Sequence, residues 1–204
     1  MKTQLATAAL CFGTLALPAA AATFVPLESK ATYLYTYNDN PTPPPALAVE
    51  LAGLGLQAGD RVLLQVVGDV DNGPGGDTFT FTLGVFSSSN TLLGNDQRYR
   101  VPGALATDAP AFVSAPTYSG ARPTDIAQDF GFDTPLGIAV TVPVGATHLF
   151  LAKHDQWYHD NSDPDHDYGV LIGLAPVPEP ATAAFWMAGL VTFWCARRRR
   201  AASA

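Results

Sequence analysis

The chain has 204 residues, of which 48% are hydrophobic, 10% aromatic and only 14% charged, a composition that fills a core and excludes global disorder. Eleven Lys and Arg stand against eighteen Asp and Glu for a net charge of −7, and residues 23–178 hold six of those cations against seventeen of the acids, so that stretch carries −11. A general nucleic-acid binder, whose affinity comes from clustered cations, is excluded on that ground.

Met1-Lys2, the apolar or small run Leu5 to Leu17, and Pro18 followed by Ala19 to Ala22 have the charged, greasy and small-residue parts of a secretory signal peptide over residues 1–22. Leu5 to Leu17 shows no amphipathic period, which separates it from a buried amino-terminal helix. Cys11 follows the bulky Leu10, against the small residue that a lipoprotein site needs. The other cysteine, Cys195, lies near the opposite end, so residues 23–176 hold no disulfide despite an oxidising destination.

The middle alternates with a period of two. Thr32 to Asn38 places Tyr33, Tyr35 and Tyr37 on one face, and Thr78 to Leu83 sets Phe79, Phe81 and Leu83 opposite threonines. Leu47 to Leu51, Arg61 to Val67, Leu136 to Val142, His148 to Ala152 and Tyr168 to Leu174 are further β-rich runs between Gly, Pro, Asn and Asp. No ten-residue amphipathic helix stands out between Thr23 and Ala175. Pro41 to Pro45 reads as an exposed loop, and Gly94 to Pro135 as a long turn-rich connection. The expected fold of residues 23–176 is all-β, an antiparallel β-sandwich or jelly roll.

Asp69 to Asp77 has the look of an EF-hand, but Gly73 falls at the fifth position instead of the sixth and Thr80 stands where the closing Glu belongs. Its glycines are followed by neither Lys-Ser/Thr nor a helix, so a phosphate loop fails too. The densest cluster of chemistry is His154 to Gly169, HDQWYHDNSDPDHDYG, in which five Asp, three His and one Asn fall within sixteen positions. Hard oxygen donors on an irregular loop suit calcium. Zinc or copper through His154, His159 and His166 is an alternative, although their spacing matches neither HExxH nor a Cys/His ribbon. The plainest reading is a solvated acidic turn whose carboxylates keep the surface soluble. Gly-x-Ser-x-Gly is absent, residues 23–176 contain no Cys nucleophile, and scattered Asp residues define no glycosidase pair, so no catalytic residues are assigned.

At the carboxyl end Pro178-Glu179-Pro180 precedes an apolar run, with a helix expected over residues 181–196, and then Arg197-Arg198-Arg199-Arg200. That run spans about 24 Å as a helix, slightly short of a hydrocarbon core. Trp186 and Trp194 bracket it, and the arginines favour the cytoplasmic side. These three features in this order resemble the PEP-CTERM sorting signal, over residues 177–204. The resemblance implies recognition by an exosortase, a membrane cysteine protease-transpeptidase of Gram-negative bacteria that make exopolysaccharide. It also implies transient anchoring in the inner membrane, then display at the cell surface or release. An ordinary retained tail anchor is the alternative.

Leu56-Gln57-Ala58-Gly59-Asp60 feeding a strand that ends Val66-Val67-Gly68, Val142 to Thr147 feeding Leu149-Phe150-Leu151, and Asp155 opening a loop with Asp160-Asn161 resemble the PA-IL-type calcium-dependent galactose-binding lectins and other galactose-binding-like sandwiches. By that resemblance a calcium ion would be held by Asp155, the carbonyl near His159, Asp160, Asn161 and a second loop near Asn72. The chain departs from the pattern where Ser162 to Asp167 intervene before the last strand, and the sugar specificity of those lectins does not carry over. The expectation is a non-enzymatic exported protein of the surface or biofilm matrix whose sandwich binds calcium and exopolysaccharide. A ligand-free, self-associating surface protein and an extracellular hydrolase are the alternatives.

Overall fold

The computed structural model describes residues 22–36, 39–73, 77–78, 81–112, 126–133, 136–155 and 157–176. Apart from Ala22, the expected signal peptide lies outside them, as does the sorting signal. The chain divides into two units, Met1–Leu174 and Ala175–Ala204, and everything below concerns the first, with its two described flanking residues. Its strands in chain order are β1 (Thr23–Pro26), β2 (Ala48–Glu50), β3 (Arg61–Val67), β4 (Val70–Asn72), β5 (Asp77–Thr78), β6 (Thr82–Ser87), β7 (Ala104–Leu105), β8 (Phe130–Phe132), β9 (Ile138–Thr141), β10 (His148–Lys153), β11 (Asn161–Ser162) and β12 (Gly169–Leu174). A 3-10 turn at Ala52–Leu54 is the helical element among the described residues, and no helix there is long and apolar enough to cross a membrane.

The fold is all-β and antiparallel, with the layered arrangement of a β-sandwich. One sheet runs β1-β12-β3-β9, a second β2-β10-β6-β7 with β8 also on β6, and a small third β11-β4-β5. Strand β3, RVLLQVV, shows how sequence sets the layers: Val62, Leu64 and Val66 point inward while Arg61 is exposed and Leu63, Gln65 and Val67 are half-buried. With Val140, Val170 and Ile172 of the first sheet they meet Val49, Phe86, Phe130, Phe132, Leu149 and Leu151 of the second in one core.

The second sheet is covered on both faces. Leu83 and Val85 of β6 and Phe150 and Ala152 of β10 turn the other way, into a second cluster with Tyr33, Leu34, Ala46, Val101, Ile126 and Tyr158. Every residue of β6 is therefore buried. Thr32 to Asn38 is expected as a strand because its tyrosines alternate, yet its described part, in the covering segment 31–36, pairs only through an isolated bridge from Thr32 to Pro45. Its polar groups are used otherwise. Arg100, itself buried, donates Nη1 to the carbonyls of Thr32 and Leu34, the Thr32 hydroxyl accepts from the Leu34 amide, and the Thr36 amide donates to the Asn95 carbonyl. A chain whose donors and acceptors are already taken has no need of a sheet partner.

First and last strands are neighbours, with Thr23 opposite Ile172 and Pro26 opposite Gly169. At the other edge a surface knot ties β3 to β9. Asp108 accepts the Thr141 amide at 2.7 Å, the Thr141 hydroxyl at 3.0 Å and Arg61 Nη1 at 2.8 Å. The Thr141 amide foremost, with that hydroxyl, Arg61 and Thr107, holds the Asp108 carboxyl well below the usual carboxylate range. A folded-state pKa depressed in this way contributes stability above the unfolded value near 3.9 and loses it as the pH falls further. Because the Asp108 side chain is 45% exposed, Asp108→Asn is expected to cost about 0.5–1 kcal/mol at pH 7. The gap between parent and variant in urea titrations should begin to narrow below about pH 4 and close only as the pH falls through the depressed folded-state value, and a gap that did not narrow at all would assign the loss to shape instead of charge.

Candidate functional site: the acidic loop and its supports

The loop after β10 is pinned by the small third sheet. Asn161 stands opposite Asn72 and Ser162 opposite Asp71, β5 flanks β4 on its other side, and the Gly73 amide donates to the Asp160 carbonyl at 3.3 Å. The turn after β3 therefore lies against the acidic loop.

At the root of that loop Lys153 is 2% exposed, and its ammonium donates to Asn72 Oδ1 and, at 2.7 Å, to Asp155 Oδ2. Two of the expected metal ligands, Asn72 and Asp155, are brought together, but around a cation of the chain's own. A divalent ion shared by Asn72 and Asp155 would have to displace that ammonium. The other expected ligands are placed as follows. Asn161 is fully buried, with Nδ2 donating to the Ser29 carbonyl at 3.1 Å and Oδ1 without a partner among the described residues. Asp160 meets Gly73 through its carbonyl. His159 turns to Asp39, a residue that the sequence reading did not single out, with Nδ1 2.8 Å from Asp39 Oδ1.

Asp39 has a completely buried side chain, and its second oxygen accepts the Tyr158 amide at 2.7 Å. Tyr158, also buried, donates its hydroxyl to the Lys153 carbonyl at 2.9 Å, which locks the loop to the end of β10. Burial foremost keeps that phenol protonated well beyond the usual tyrosine range. His154 packs edge-on against Phe81 and Phe112, with ring centroids 5.9 and 5.2 Å away. Burial pushes its imidazole below the usual value, Lys153 adds to that and Asp155 opposes it, so the ring sits as a neutral aromatic filler.

Farther along, Asp163, Asp165 and Asp167 bring carboxylate oxygens within 4.8 Å of one another. His166 between them has a left-handed backbone, φ 60°. Asp163 Oδ2 accepts the Tyr168 amide at 3.3 Å while its Oδ1 is buried with no partner among the described residues. Asp167 Oδ1 accepts the Asp69 amide at 3.3 Å. Lost hydration and then the carboxylates of Asp167, Asp165 and Asp163 push the Asp69 carboxyl up from its ordinary value. Crowded oxygen donors on a loop are the chemistry that calcium takes, and this trio suits it better than the ammonium-filled position at Asn72 and Asp155.

A scan against protein-family models and searches of curated proteins and of solved structures find no match to this chain. Of the supports, Lys153 carried a local signal, being the one cation beside an acidic run. Asp39 carried none, because nothing near it in sequence points to a partner 120 residues later.

Proposed function

We propose that the protein is an exported surface or matrix protein, sorted by an exosortase-type transpeptidase, whose sandwich is non-catalytic and binds exopolysaccharide. One observation carries the sorting part, the sequence Pro178-Glu179-Pro180, an apolar stretch over residues 181–196 and Arg197 to Arg200, in that order at the carboxyl end. Before processing, the apolar stretch would hold the chain in the inner membrane with the arginines inside. The likeness to galactose-binding-like sandwiches supplies the ligand class, and the antiparallel all-β layers are compatible with it.

The test is the fate of a tagged chain in an exosortase-bearing host. The parent should appear shortened at the surface or in the medium. A Pro178→Ala, Glu179→Ala, Pro180→Ala variant should remain full-length in the inner membrane, as should the parent in a host without the transpeptidase. Full-length parent in the cytosol would overturn the proposal.

Calcium belongs to this reading as the bridge between an acidic domain and acidic polymer. The support is the trio Asp163, Asp165 and Asp167, in which the buried Asp163 Oδ1 has no partner among the described residues. Calcium at a hundred times its Kd should stabilise the parent by about 2.7 kcal/mol, seen as a rise in Tm that Asp165→Asn with Asp167→Asn removes. A Tm indifferent to calcium would take the ion out of the reading. A second reading, a ligand-free protein that packs on its own copies, is favoured by Phe24 and Leu174, large apolar side chains exposed on the neighbouring strands β1 and β12. Concentration-dependent assembly without polysaccharide binding would select it.

A further inference from the structure

We infer that Trp157 and His159 form a subsite for the pyranose ring of a neutral sugar, an inference that rests on the reading of the sandwich as polysaccharide-binding. Trp157 is 38% exposed on a loop otherwise rich in charge. Its ring centroid lies 5.0 Å from that of His159, with the planes at 70°. Between them Tyr158 is completely buried, so the two flanking side chains are carried on a fixed segment.

The supports on either side are specific. The Trp157 amide donates to Asp155 Oδ1 at 3.2 Å, and Asp155 is itself held by Lys153. His159 Nδ1 meets a wholly buried carboxylate whose other oxygen is occupied by the Tyr158 amide. An acceptor on that side fixes the proton of the neutral imidazole on Nδ1 and leaves Nε2 as the acceptor. The His159 side chain is 31% exposed, and Nε2 has no partner among the described residues.

An apolar, flat indole beside one oriented acceptor matches a pyranose, which offers an apolar face of C–H groups and a rim of hydroxyl donors. The ring would lie on the indole while one hydroxyl donates to Nε2. A metal ion fits less well. The only group of three or more ligating side chains close enough to share one among the described residues is Asp163, Asp165 and Asp167, which does not include His159. A uronic acid or sulfated sugar is disfavoured by Asp155 and Asp160, which flank the pair in sequence, and by the −11 carried on residues 23–178. Rigid supports would keep the ordering cost of binding small.

The test uses the full chain with Trp186→Phe and Trp194→Phe, which leaves Trp157 as the last of three indoles. Methyl α-glucopyranoside, methyl β-galactopyranoside and methyl α-mannopyranoside are titrated against its emission, with acyclic sorbitol as the control. Retention on dextran, galactan and mannan gels is measured alongside. The expected result is a saturable change with at least one pyranoside and none with sorbitol, and retention lost in Trp157→Ala. His159→Gln, whose amide can still donate to Asp39, should keep its Tm yet weaken binding at least tenfold. Parent retention unchanged by both substitutions would overturn this subsite and leave polysaccharide binding standing. A parent that neither responds to any pyranoside nor is retained on any of these gels, nor on an alginate gel with calcium, would overturn both.

Discussion

Replacing Asp155 by Ala is expected to remove about 3 kcal/mol of folding stability, the scale on which a buried ion pair responds when one partner goes and the other charge stays. Lys153 is 2% exposed and has two acceptors, Asn72 Oδ1 and Asp155 Oδ2, so the variant would leave an ammonium in the interior with a single amide oxygen. Little of this loss belongs to attraction as such, and a second variant separates the two. Lys153→Met combined with Asp155→Ala removes both charges and keeps much of the volume, so it should regain most of the stability. Urea unfolding with an unchanged m-value checks this. If the double variant were as unstable as Asp155→Ala, the ammonium would not be the cause. The same pair bears on metal binding, since Lys153→Met removes the ammonium that now occupies Asn72 Oδ1 and Asp155 Oδ2.

Gly68→Ala is the second large effect. Gly68 joins β3 to β4 with φ +70°, and a Cβ there would run into both the side chain and the backbone of Asp167. Left-handed backbone costs an L-residue about 1–2 kcal/mol, and here the obstacle is main chain that cannot rotate away, so a total of about 3 kcal/mol is expected from strain and collision together. Gly73→Ala is the control. Its φ is +77°, but the nearest atom to an added Cβ is Asp160 Oδ2 at 3.7 Å, so only the backbone strain applies. Thermal unfolding should rank Gly68→Ala well below Gly73→Ala, and faster amide exchange at Tyr168 should report the displaced loop. Equal losses in the two would show that Asp167 yields easily.

The strands that carry the core were legible as β-rich runs between turn residues. Arg61 to Val67, which obeys the rule of burial on alternate positions, was read with the bounds it has, and β12 and the doubly covered β10 to within a residue. Thr32 to Asn38 obeyed the same rule and is not a strand over the part described. Its carbonyls go to Arg100, and no local pattern announces an arginine 66 residues away. β1, a short edge strand of mixed exposure, and β8, inside the stretch read as a turn-rich connection, were missed because each is three or four residues long. The acidic loop stood out by residue count alone. What its side chains touch did not, because Lys153 finds Asn72 across 81 residues and His159 finds Asp39 across 120. Such pairings are decided by which strands pass one another, and single-chain spacing holds no record of that.

The pairing of Thr23 with Ile172 has a consequence for the order of events in the chain's life. A polypeptide that emerges amino end first, from a ribosome or through a translocation pore, exposes β1 long before the strand that β1 needs. The sheet can close only once Leu174 is clear, and a topology of such distant contacts folds slowly. Synthesis of the chain and closure of its sheet are thereby separated in time, since β1 gains its partner only when β12 arrives.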